Sequence, residues 1–155
     1  NPFDLLFSYY SHSREDHTGW LACNTIHGFK TFEEFIKAYC DPSFDWHMPI
    51  MKKFLYCQIF TKEGDCVPKY VIRYERLDEG LKILANLYEP NEVEPEFINK
   101  SPKSITYKEA YTEEMKQLVT EKCKKELQIF NFDFDGAKDS LVMLDPLTLK
   151  YNWDS

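Results

Sequence analysis

The side chains best suited to hold a cation lie in NFDFDG, where Asn131, Asp133, Asp135 and Gly136 carry the spacing of the first half of a calcium loop. Oxygen ligands at alternate positions suit a hard divalent ion, but such a loop needs a bidentate glutamate at its twelfth position, and Val142 stands there. No second helical pattern follows, because Asp145-Pro146 interrupts it, so no metal is expected. Cys23, Cys40, Cys57, Cys66 and Cys123 make an odd count with no CxxC pair. That leaves no structural zinc set and suits free, mostly buried thiols in a reducing compartment. Cys57 and Cys66 flank a strand–turn–strand pattern. A turn centred on Glu63-Gly64 would set Cys57 opposite Tyr70, so a bridge to Cys66 needs another pairing. His12 and His17, five apart, are poorly placed to share a ligand from one helix. Arg73, inside an apolar run, is expected to pair with a carboxylate, and a ligand role for it stays open.

Composition bounds what these groups can serve. A chain of 155 residues with 43% hydrophobic and 16% aromatic side chains is one domain's worth of sequence with material for a core. Folding should bury roughly 70% of the surface the unfolded chain exposes. No apolar run approaches the ~20 residues that cross a bilayer. The net charge of −7, with arginine only at positions 14, 73 and 76, argues against nucleic-acid binding, which depends on neutralising phosphates.

The elements follow from periodicity and punctuation. Asn1 and Pro2 suit an N-cap and first helical position, and Phe3, Leu6, Phe7 and Tyr10 form the stripe behind them. This helix is expected to fade through SHSREDHTG. Thr31 and Glu34 form a capping box ahead of the apolar face Phe32, Phe35, Ile36 and Tyr39, and Asp41-Pro42 should end that helix. KKFLYCQIF and PKYVIRYE read as strands, and YVIRY suits a buried strand of a parallel or mixed sheet. Leu77, Leu81, Leu84 and Tyr88 mark a helix, weakened by Gly80. FINKSPKSITY reads as a loop. Thr112 caps a helix with Met115, Leu118, Val119, Cys123 and Leu127 facing inward. Residues 135–155 read as an irregular tail. A strand followed at once by a helix is half of a βαβ unit, so the chain is expected to be part of an α/β domain.

Four of these segments together resemble the sulfotransferase superfamily, and within it the carbohydrate sulfotransferases. NPFDLLFSYY resembles the family's 3′-phosphate-binding motif, and DWHMP its His-Trp/Phe-x-Pro loop. YVIRYERLDEGLKIL is similar to the following strand and helix, and INKSP with YTEEMKQLVTEKCKKELQIFNFDF to the C-terminal stretch. The likeness spans about residues 1–134 in the family's order. It implies an α/β class: the C-terminal portion of a P-loop-like sulfotransferase fold, helix-rich with a small sheet, in one apparently truncated domain over residues 1–155.

The resemblance also implies a chemistry. The donor would be 3′-phosphoadenosine-5′-phosphosulfate, with no metal, and the acceptor a hydroxyl, in this group that of a carbohydrate. In the family an arginine precedes the Asn-Pro pair, and the donor loop and catalytic base lie further upstream. None of these is present here, so the chain alone is expected to be inactive, with no catalytic residue of its own. What remains for the nucleotide is Ser8, with Lys100 and Ser101. Ser8 follows Asn1 by seven residues, about 700° of helix, so the two share a face. Ser8 would either reach the 3′-phosphate or bond back to a carbonyl of its own helix. Lys100 and Ser101 would either lie near the ligand or form a solvated loop, with Lys103 and Lys108 adding positive charge. His47 is expected to pack and hydrogen-bond rather than catalyse. A non-catalytic interaction module derived from the same fold is the alternative. A half-complete sheet would expose apolar surface and favour self-association. The compartment stays open: Golgi lumen for an animal enzyme, cytoplasm otherwise, towards which the odd thiol count tilts.

Overall fold

The computed structural model describes residues 1–15, 26–44, 59–88 and 105–150. Helix α1 spans Pro2–Glu15. The Asn1 side-chain oxygen accepts from the Phe3 amide at 3.1 Å, the N-cap bond expected of asparagine there. The helix runs through SHSRE rather than fading. Ser13 is buried, its carbonyl accepts from His27 Nε2 at 2.7 Å, and Arg14 donates to the Phe29 carbonyl at 2.8 Å. Tertiary partners thus satisfy a last turn that its polar sequence would leave to water.

Helix α2, Phe32–Cys40, opens on Thr31, whose hydroxyl accepts from the Glu34 amide at 3.1 Å. The Glu34 carboxylate returns to the Lys30 amide at 2.7 Å, one residue before the usual capping-box donor. The helix stops at Asp41, whose extended backbone suits the residue before a proline. Helices α1 and α2 enclose the larger core with Tyr111, Met115, Val119 and Cys123. Its centre is aromatic: Phe32 meets Tyr111 edge-on at 5.0 Å, and Phe3 meets Phe134 at 5.1 Å.

The hairpin before the first strand is centred on Glu63 rather than between Glu63 and Gly64. Thr61 donates to the Asp65 carbonyl and accepts from the Gly64 amide, both at 2.9 Å, and Gly64 has φ 84°. This is a three-residue turn with glycine in the left-handed position. It sets Phe60 opposite Cys66, one residue out of the expected register. Cys57 lies outside the described residues.

Strand β1, Tyr70–Ile72, leads through a 3₁₀ turn, Tyr74–Arg76, into helix α3, Leu77–Tyr88. The strand then departs from the sequence reading. It pairs antiparallel with a strand at Leu141–Met143, in the register Tyr70 to Met143, Val71 to Val142 and Ile72 to Leu141. Its partner comes from the stretch expected to be irregular. The described strands form two two-stranded sheets, both antiparallel. The architecture is mixed helix and small antiparallel sheets, compatible with a general α/β class.

FINKSPKSITY was expected to be a loop throughout, yet its last residue, Tyr107, starts a short helix. Helix α4, Tyr107–Ala110, begins at Thr106, whose amide and hydroxyl both donate to the Glu109 carboxylate at 2.8 Å. The T-x-x-E spacing was present in the sequence and marks this start. Helix α5, Glu113–Lys122, is capped by Thr112, whose hydroxyl accepts from the Met115 amide at 3.3 Å. Cys123 breaks the expected long helix, and α6 resumes over Lys124–Ile129. Asn131, at φ 49°, ends it in the left-handed region asparagine tolerates. Strands β2, Phe132–Asp133, and β3, Gly136–Ala137, make a tight hairpin, and β4 is Leu141–Met143. Phe60, Cys66, Phe130 and Leu144 form a second core beside β1 and β4.

Candidate functional site

The first turn of α1 carries Ser8's face. Ser8 is half-buried rather than sealed among core side chains. Seven residues before it, the Asn1 carboxamide nitrogen reaches the Asp133 carbonyl at 3.4 Å and the Tyr107 hydroxyl at 3.5 Å. The Asn1 backbone nitrogen lies 3.2 Å from the Glu75 carboxylate. The N-terminal end of α1 therefore docks against the 3₁₀ turn, α4 and the β2–β3 hairpin. Lys100, Ser101, Lys103 and His47 lie outside the described residues. Ser8 is thus the one expected nucleotide contact whose position is described.

The charge around this turn is largely negative. Burial raises the Tyr107 phenol pKa, and Asp4, Glu75, Asp135 and Asp133 raise it further. Lys108, a candidate source of positive charge, pairs with Asp135 at 3.1 Å. Arg73 is turned away from solvent, only 2% exposed. One of its nitrogens donates to the Asp139 carbonyl at 2.6 Å and another to the Phe130 carbonyl, while the Asp139 carboxylate stands 3.7 Å off. The guanidinium also lies over the Phe132 ring at 5.0 Å. Arg73 thus pairs with a carboxylate as expected, that of Asp139, while two backbone carbonyls hold it more closely.

The calcium-like stretch is used by the hairpin itself. Asp133 Oδ1 accepts from the Asp135 amide at 2.9 Å and the Gly136 amide at 3.1 Å, and Lys138 stands 3.4 Å from Oδ2. Asn131 donates to Asp139 at 2.8 Å. Among the described residues no group of three or more His, Cys, Asp or Glu is placed to hold a metal ion.

Two of the three described thiols, Cys40 and Cys123, are poor nucleophiles. Burial pushes Cys40 up to about 11 and holds Cys123 higher still, beside Glu126. A thiol must be deprotonated to attack, so neither serves near neutral pH. No described helix is long and apolar enough to cross a membrane.

Comparison of the chain with protein-family models, with curated proteins and with solved structures returns no match. The sulfotransferase likeness rests on the quoted residues, their order and their spacing.

Proposed function

We propose that this chain is the C-terminal portion of a sulfotransferase of P-loop-like fold, acting with 3′-phosphoadenosine-5′-phosphosulfate on a carbohydrate hydroxyl. In that reaction the acceptor oxygen bonds to sulfur, the bond from sulfur to the donor's phosphate oxygen breaks, and a base takes the hydroxyl proton. The observation that carries the reading is Ser8, partly exposed on an asparagine-capped helix, two turns from the cap and on the same face. The donor loop and base of the family have no counterpart in these 155 residues, so this chain alone is expected to bind the nucleotide weakly and to transfer nothing.

One observation favours the alternative, a non-catalytic interaction module. Asp4 and Glu75 place negative charge at the helix end where a phosphate would sit. Residue-resolved NMR during titration with 3′-phosphoadenosine 5′-phosphate separates the two. The transferase reading expects amide shifts in α1 around Ser8 that need the 3′-phosphate and disappear in Ser8→Ala. An α1 indifferent to the 3′-phosphate overturns it and leaves the module.

A further inference from the structure

A cleft of about 430 Å³ opens between α5, α6 and the β2–β3 hairpin, and Ser8 is not among its walls. That size lies within the roughly 300–1,000 Å³ of small-molecule sites. Phe3, Leu127 and Phe132 line its more buried part, and Lys124, Gln128 and Asn131 its exposed part. Lys124 and Gln128 are four apart on α6 and so stand one above the other. Among the described residues, neither side chain makes a hydrogen bond or an ion pair. Asp133, the acid in the wall, is already satisfied by the two hairpin amides and by Lys138. The charged group of the cleft wall left without an ion pair is therefore the ammonium of Lys124, set beside an amide donor and above apolar surface.

We propose that this cleft binds a small organic anion with a flat apolar body. Its acid group meets Lys124 and Gln128, and its body lies against Leu127 and Phe132. The proposal stands apart from the sulfotransferase reading, since it needs neither Ser8 nor a nucleotide.

The test is an NMR titration of the chain with 1-naphthoate and, separately, with its neutral isostere 1-naphthamide. Naphthoate is expected to bind about fivefold more tightly, the worth of a partly exposed ion pair. Shifts should centre on Thr120, Lys124, Gln128 and Asn131. Lys124→Gln, an exposed change that leaves the core intact, should erase the preference, and Gln128→Glu should weaken naphthoate alone. Equal affinity for the two probes, a preference that survives Lys124→Gln, shifts centred on another surface, or none at the solubility limit would each overturn it.

Discussion

Gly80 of α3 sits so close to Ile72 of β1 that a Cβ on the glycine would collide with the isoleucine's γ-methyl and lie 3.0 Å from the Ser140 carbonyl oxygen. The missing side chain is what lets α3 lie down on the β1–β4 pair. Overpacking of this kind costs about 1–3 kcal/mol, against the roughly 1 kcal/mol that alanine gains over glycine within a helix. Gly80→Ala is therefore expected to destabilise by about 1 kcal/mol in urea unfolding. In an Ile72→Ala background the same change should become neutral or stabilising. A stabilising Gly80→Ala in the otherwise unchanged chain would show that α3 and β1 are not in contact there.

Arg73 ties the end of β1 to the carbonyls of Phe130 and Asp139. Arg73→Ala leaves buried acceptors without donors and is expected to cost about 2–4 kcal/mol. Arg73→Lys should recover little, because one ammonium cannot span two carbonyls as a planar guanidinium does. Denaturant midpoints of the two variants check this, and a lysine variant as stable as the parent would refute the fork.

Acid should loosen the turns before the core. Asp41 is held below its usual pKa by Ser43, Glu109 by the Thr106 amide and hydroxyl, and Asp145 by Thr148 and the Leu147 amide. A carboxyl whose pKa is depressed in the folded chain contributes stability above its unfolded pKa and loses that contribution as pH falls through the folded value. Their side-chain NMR titrations should have midpoints below 3.8 for Asp41 and Asp145 and below 4.5 for Glu109. Thr106→Val should return Glu109 part of the way, since the amide bond remains.

Alkali should act on the larger core. Burial holds the phenols of Tyr39 and Tyr111 and the thiol of Cys123 protonated well above their ordinary values. Groups with raised pKa values contribute stability that is whole below the unfolded values, 9.0 for the thiol and 10.0 for the phenols, and falls as pH rises towards the folded ones. Tyrosinate absorbance from Tyr39 and Tyr111 should therefore appear together with loss of near-ultraviolet circular dichroism. Ionisation of these two tyrosines in an intact fold would contradict their burial.

Helix α3 leaves Ile83, Leu87 and Tyr88 exposed, and Met143 and Leu147 stand out at 69% and 87% exposure. Self-association is expected from this apolar surface. Light scattering should show mass rising with concentration, and Leu87→Asp should suppress it. A monomer at every concentration would oppose the expectation.

Local chemistry was legible wherever one residue decides it. Asn1, Thr31 and Thr112 cap the helices their spacing assigns to them, and Asp41-Pro42 ends α2. Thr106 and Glu109 carried the same signal, hidden within a stretch read as a loop. Of the nucleotide contacts inferred from family likeness, only Ser8 falls among the described residues, and its partial exposure leaves the face open.

Sequence alone determined where α1, α2, α3 and α5 begin, because such starts depend on neighbours within about four residues. Tertiary structure alone decided that β1 pairs antiparallel with a segment some seventy residues on, that Gly80 is a contact point, and that Arg73 is held by backbone carbonyls. It also left the Lys124 ammonium on the cleft wall without an ion pair among the described residues. Strand partners and buried acceptors are set by which distant backbone atoms remain unsatisfied once the helices have packed, and no local spacing records that.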